Sequence, residues 1–284
     1  MWKIRFIRGI YLEGIKYIPE LSQVKIQLLI KTFFMIYFVI PLRSKAAAKN
    51  WERITEDFNK TLKSCYNQMS PEFKIFVACH DIPKIDFVYD ARVNFIQVDI
   101  PTPTNTQEMM YDKGYKMYTL MRAVRNDINN SNGSYVLPVD ADDIISNRVA
   151  TFFEGRDDGM CYTSKFGYIW KKTSSFVMKA KDLWRTCGSC TVVYYKKDEL
   201  PKVDYAENTN KYIFQNSHRF LIKYAKSIGK QFGIIPFPTT IYVLGTGENH
   251  SSLVGIGISW KRTIEGFLRI PRYVSNSMKK EFNL

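Results

Sequence analysis

YVLPVDADDIISNRVATFF, residues 135–153, begins as an apolar strand and runs directly into Asp140, Asp142 and Asp143. Like charges this close repel, so a fold holds them cheaply only where a cation, a hydrogen-bond network or water compensates. The chain of 284 residues carries a formal charge of +14, which makes an acidic cluster at a strand end the sharper signal. In an extended stretch a spacing of two sends Asp140 and Asp142 to one face, where they can converge on a hard cation such as Mg²⁺ or Mn²⁺. The competing reading makes one Asp the N-cap of a helix over 144–154 and leaves the others to water.

Upstream, FKIFVACHD (73–81) and VNFIQVDIP (93–101) are short apolar runs with polar exits, the pattern of strands buried in a parallel sheet. The segment 107–129 reads as a helix with Met110, Met117, Leu120, Met121 and Val124 as its buried stripe. Residues 44–70 read as another, with Trp51, Ile54, Phe58 and Leu62 inward, ending before Pro71. Strands alternating with helices predict an open α/β sheet. Ligands gather at the carboxyl ends of such strands, where His80, Asp81, Asp99 and the three aspartates stand. The core domain is expected over 71–252, with 1–70 and 253–284 as amphipathic helical extensions.

Those extensions carry the basicity. Residues 1–50 hold nine Lys or Arg against two Glu, and residues 253–284 hold six against two. The apolar run after Lys31 is shorter than the ~20 residues that span a bilayer, and the N-terminus lacks the pattern of a signal peptide. In WKRTIEGFLRIPRYV (260–274), Trp260, Ile264, Phe267 and Leu268 share a helical face beside Lys261, Arg262, Arg269 and Arg272. Such a helix suits an anionic membrane surface, with docking on its own protein core as the rival reading. Five scattered cysteines imply a reducing compartment, so a cytoplasmic location is expected. Cys187-Gly-Ser-Cys190 is a lone CxxC, thin ground for a zinc or redox site.

The stretch at 135–153 resembles the nucleotide-sugar-dependent glycosyltransferases of the GT-A fold, near the family 2 type, in which a strand ends in Asp-x-Asp-Asp and a helix follows. The resemblance covers about residues 73–252 and implies an open mixed sheet flanked by helices, with a Rossmann-like nucleotide-binding half. It implies that Asp140 lies near the nucleotide ribose and that Asp142 and Asp143 hold Mn²⁺ or Mg²⁺ on the diphosphate. DKGYKMYTLMRAVRNDINNSNGSYVLPVD is similar to the family segment ahead of the acidic cluster, making Lys113, Lys116 and Arg122 candidates for the nucleotide or its phosphates; a solvated basic face is the rival explanation. His80, Asp81 and Asp99 join them as nucleotide-sugar-binding candidates. GKQFGIIPFPTTIYVLGTGENHSS (229–252) resembles the closing strand pair, which ends in a metal-binding His, here His250.

The match departs at the catalytic base. Where the family has Glu-Asp before a helix, this chain has Ser217-His218, so His218 becomes the candidate, with Asp204 and Glu207 as substitutes. Between the two regions, Trp170, Trp184 and Tyr168 can stack on sugar rings or fill core. Gly188-Ser189 suggests close approach to a donor sugar. The expected reaction transfers a sugar from a nucleoside-diphosphate donor, a UDP-sugar first, to a glycan or lipid-linked glycan at the inner face of the cell membrane. A nucleotidyltransferase using the carboxylates for two metals, and a basic nucleic-acid-binding protein, are the alternatives. The excess of basic over acidic residues lies mostly at the ends, among aliphatic residues, which argues against a nucleic-acid partner.

Overall fold

The structure is a computed structural model, and it describes residues 35–128, 133–172, 174–203, 212–245 and 270–284. Its body is α/β, with two mixed sheets flanked by helices. The first sheet has seven strands in the order β10-β6-β9-β4-β1-β2-β3. These are β1 Ile36–Pro41, β2 Phe73–Cys79, β3 Val93–Gln97, β4 Ser134–Pro138, β6 Cys161–Ser164, β9 Thr191–Tyr195 and β10 Phe232–Ile235. β3, β2, β1 and β4 run parallel; β9 returns antiparallel to β4. The order therefore reverses between β1 and β4, and in open α/β sheets the crevice beyond the carboxyl ends at such a reversal is where ligands bind.

β1 corrects the domain boundary expected at residue 71. Ile36–Pro41 is a central strand, buried along almost its whole length, with β2 on one side and β4 on the other. Its β-branched and aromatic residues (Ile36, Tyr37, Phe38, Val39, Ile40) favour a pleated strand over the apolar helical extension that the basic flanks suggested. The helix α1, Trp51–Tyr66, follows it with Ile54, Phe58 and Leu62 buried and Asn50 Oδ1 capping the Arg53 amide at 2.9 Å. The helix α2, Thr106–Asp127, packs on β1 and β2 through Met117, Leu120, Met121 and Val124. Met110, expected in that stripe, is instead 65% exposed near the start of the helix.

The second sheet has the order β12-β8-β7-β11-β5. Its strands are β5 Ile144–Ile145, β7 Phe166–Lys171, β8 Phe176–Lys181, β11 Thr240–Leu244 and β12 Ile270–Tyr273. The helix expected over 144–154 is instead the short strand β5, paired antiparallel with β11, and a five-residue helix α3, Val149–Phe153. A further helix, α4 (His218–Ser227), precedes β10, and α5 (Asn276–Phe282) ends the chain. The described part of the C-terminal segment docks on its own body. β12 pairs with β8, and Met278 and Phe282 of α5 are buried with Val177, Ile241 and Val243. The face expected at 260–268 lies outside the described residues. None of the described helices is long and apolar enough to cross a membrane.

Candidate functional site

The chain crosses from the first sheet to the second through the acidic turn. Val139 extends the β4 ladder by one bond to Val39, and the Asp143 amide then donates to the Asp140 carbonyl at 3.0 Å. Asp140 to Asp143 is thus a closed turn, and the extended alternation expected to align Asp140 with Asp142 is absent. No aspartate caps a helix either: α3 starts after Arg148, without a side-chain cap.

Three elements brace this turn. The Ser189 hydroxyl donates to Asp143 Oδ2 at 2.6 Å and accepts from the Asp140 amide at 2.9 Å. Cys187 Sγ donates to the same Oδ2 at 3.1 Å, and Thr240 of β11 donates its hydroxyl to the Ser189 carbonyl. From α1, Thr61 donates to the Ala141 carbonyl at 3.0 Å and Ser64 accepts the Ile145 amide at 3.0 Å. Ser189 is fully buried, so its expected place on the donor sugar gives way to a structural one. The CxxC has a physical account without metal or redox chemistry, since both sulfurs are buried and Cys187 serves Asp143.

The three carboxylates sit in different surroundings. Asp140 is half-buried, and its Oδ1 accepts from Lys113 Nζ at 2.6 Å; the ammonium holds this carboxyl below the usual range. Asp142 is also half-buried. Asp143 is sealed from solvent, and burial, with Cys187 and Asp142 nearby, pushes it well above the usual carboxylate value. Its Oδ1 has no hydrogen-bond partner among the described residues. A buried carboxylate oxygen with no hydrogen-bond partner among the described residues, next to a second, half-buried carboxylate, suits a hard cation with oxygen ligands. Among the described residues no three His, Cys, Asp or Glu side chains form a ready cation cluster. The expected third ligand, His250, lies outside the described residues, as do Asp204 and Glu207.

His218, the first residue of α4, reaches the same place. A Cβ built on Gly188 would lie 3.8 Å from Asp140 Oδ2 and 3.9 Å from His218 Cβ, so Gly188 separates the two with little room to spare. Tyr212 and Phe214, stacked 5.2 Å apart and both against Tyr118 of α2, fix the approach to α4. Burial lowers the His218 pKa against the upward pull of Asp140, which favours the neutral imidazole. Its Nε2 is buried and unpartnered among the described residues.

The remaining candidates divide. Lys113 belongs to the site. Lys116 does not: it is 1% exposed and donates to Asp112 at 2.8 Å and to the Leu42 carbonyl at 2.7 Å, so it ties α2 to the end of β1. Arg122 lies nine residues past Lys113, ~13 Å farther along the helix axis. His80 and Asp81 follow β2 near the reversal point. His80 Nε2 pairs with the Ile100 carbonyl at 3.0 Å, and Asp81 accepts the Lys45 amide at 2.9 Å. Asp99 is exposed beyond β3. Trp170 donates to the Ser174 carbonyl at 2.9 Å and, with Tyr168, packs against the core that α5 closes, so it fills core and does not line the turn. Trp184, with Arg185 over its ring at 5.2 Å, lies in the short turn Leu183–Arg185 that packs on α4.

Thr61, Ser64, Cys187 and Thr240 escape a sequence reading as parts of this site. Thr61 and Ser64 leave one trace, polar residues on the inward face of an amphipathic helix. No protein-family model matches the chain, and no curated protein matches it either.

Proposed function

We propose that the chain is a GT-A-type glycosyltransferase that moves a sugar from a nucleoside-diphosphate donor, a UDP-sugar first among them, to a hydroxyl of a glycan or lipid-linked glycan. The observation that carries this reading is the braced acidic turn at the strand-order reversal, with Lys113 on Asp140 and a neutral His218 beside them. Asp142 and Asp143, with His250, are the residues to hold Mn²⁺ or Mg²⁺, which when bound supplies positive charge for the leaving diphosphate. Asp140 orients the ribose. Lys113, 59% exposed and tethered only at its tip, is free to shift its ammonium from Asp140 to a phosphate oxygen. The acceptor oxygen bonds to the anomeric carbon as that carbon's bond to the diphosphate oxygen breaks, and His218 takes the hydroxyl proton. The peripheral position on the inner face of the membrane belongs to this reading, since lipid-linked acceptors are found there.

The test is a thermal-shift screen of UDP-, GDP-, CMP- and dTDP-sugars with Mn²⁺, followed by transfer or donor hydrolysis with the donor that raises the melting temperature. Release of a nucleoside diphosphate supports the transferase. Release of inorganic diphosphate from a nucleoside triphosphate marks a nucleotidyltransferase instead.

A further inference from the structure

Between Glu207 and Glu248 the sequence contains no Asp or Glu. Within that stretch α4 carries Arg219, Lys223 and Lys226, spaced i, i+4 and i+7, which puts them on one stripe of the helix. All three are exposed, and none forms an ion pair among the described residues. By contrast, Lys230 just beyond is bound to Glu199 at 2.6 Å. Like charges at this spacing cost helix stability, so an unneutralised stripe points to a partner that supplies the anions. Phe220 adjoins the stripe and is 63% exposed, although Leu221 and Ala225 already anchor the helix to the core. An exposed aromatic next to cations on a surface helix is the arrangement that lies in the boundary of an anionic bilayer, with the ring among acyl chains and the cations at the headgroups. We propose that the outward face of α4 docks on an anionic phospholipid surface.

This goes beyond the transferase reading and stands without it, because it needs neither donor nor metal. It concerns residues other than those of the basic terminal segments. If both readings hold, docking through α4 brings His218 at its first turn to the membrane plane, where a lipid-linked hydroxyl would be presented. A nucleic-acid partner is the competing occupant. The stripe spans only ~10 Å of helix, too short to follow several phosphates of a strand.

The experiment is flotation of the full chain with phosphatidylcholine vesicles and with vesicles containing phosphatidylglycerol, in the absence of any sugar nucleotide. The triple variant Arg219→Gln, Lys223→Gln, Lys226→Gln is compared with a charge-matched control, Lys60→Gln, Lys63→Gln, Lys84→Gln, also on exposed positions. The expected result is partition to anionic vesicles that falls roughly a hundredfold in the α4 variant, each cation contributing about fivefold, and little in the control. Equal loss in both variants would mean that net charge alone acts and would overturn the proposal. So would unchanged binding by the α4 variant, or loss of labelled duplex binding by that variant with vesicle binding intact. Phe220→Trp is an independent measurement, expected to add emission that brominated acyl chains quench beyond the wild-type signal; no added quenching would overturn the seating of the helix.

Discussion

The two ends of β4 hold carboxylates under opposite conditions. At the amino end, Tyr135 donates to Asp158 at 2.9 Å, and Tyr162, Arg156 at 3.2 Å and the Met160 amide at 3.0 Å complete a full set of donors. At the carboxyl end, three aspartates crowd one turn, Asp143 keeps an oxygen without a partner among the described residues, and Lys113 pairs with Asp140. Four donors on one carboxylate make a self-sufficient structural hub. Three carboxylates are braced from behind, through Ser189, Cys187, Thr61 and Thr240, with Lys113 paired to Asp140 and one oxygen of Asp143 left without a hydrogen-bond partner among the described residues. Crowded carboxylates that the surrounding fold holds in place make the carboxyl end of β4 the candidate site, and the amino end a structural one.

The largest effect that could break this contrast comes from Asp142. Asp142→Ala is expected to lower sugar transfer at least hundredfold, the scale on which single electrostatic groups act in a site, while the melting temperature stays near wild type. Activity that survives both this change and chelation of divalent ions would reduce the carboxyl end to another structural hub. Ser189→Ala acts on both stability and site. It strips a partner from the buried Asp143 carboxylate and from the Asp140 amide, and should cost about 2 kcal/mol, seen as a shift of the denaturant midpoint with unchanged slope. It should also weaken the Mn²⁺-dependent thermal shift; a loss of stability with that shift intact would show that Ser189 braces the body and leaves the turn unaffected.

The same contrast explains what the sequence could reveal. Acid clusters and buried strands are local patterns, so Asp140–Asp143, β2, β3, β4 and both long helices are readable from spacing alone. β1 is not, because Ile36–Pro41 follows a basic, apolar segment and its strand character depends on neighbours 37 and about 100 residues away, Phe73 and Tyr135. Lys116 and Trp170 show the opposite failure. Each has the residue type and the approximate position of a ligand contact, but helix phase turns Lys116 onto Asp112 and strand alternation turns Trp170 toward α5. The bracing hydroxyls are illegible for a third reason: a serine 46 residues from its aspartate carries no pairing signal in a single sequence.

The smallest effects sharpen the amino end. Asp158→Asn keeps the shape but loses the charge on its donors, and should cost about 1 kcal/mol without changing transfer at saturating donor. Burial pushes Asp158 upward, yet hydrogen bonds from Tyr162, the Met160 amide, Tyr135 and Arg156 outweigh it, and the carboxyl lies below the usual range. A carboxylate favoured in its ionised form by the fold contributes stability that is fully present above its unfolded pKa of about 3.9 and is lost as pH falls through the lower folded value. The stability difference between wild type and Asp158→Asn should therefore stay constant from about pH 8 to pH 5 and shrink below about pH 4. Denaturant melts across that range read it directly. A difference that instead grows on acidification would mean that the protonated form is the one the tyrosines hold, and the amino end of β4 would lose its standing as the self-sufficient pole of the comparison.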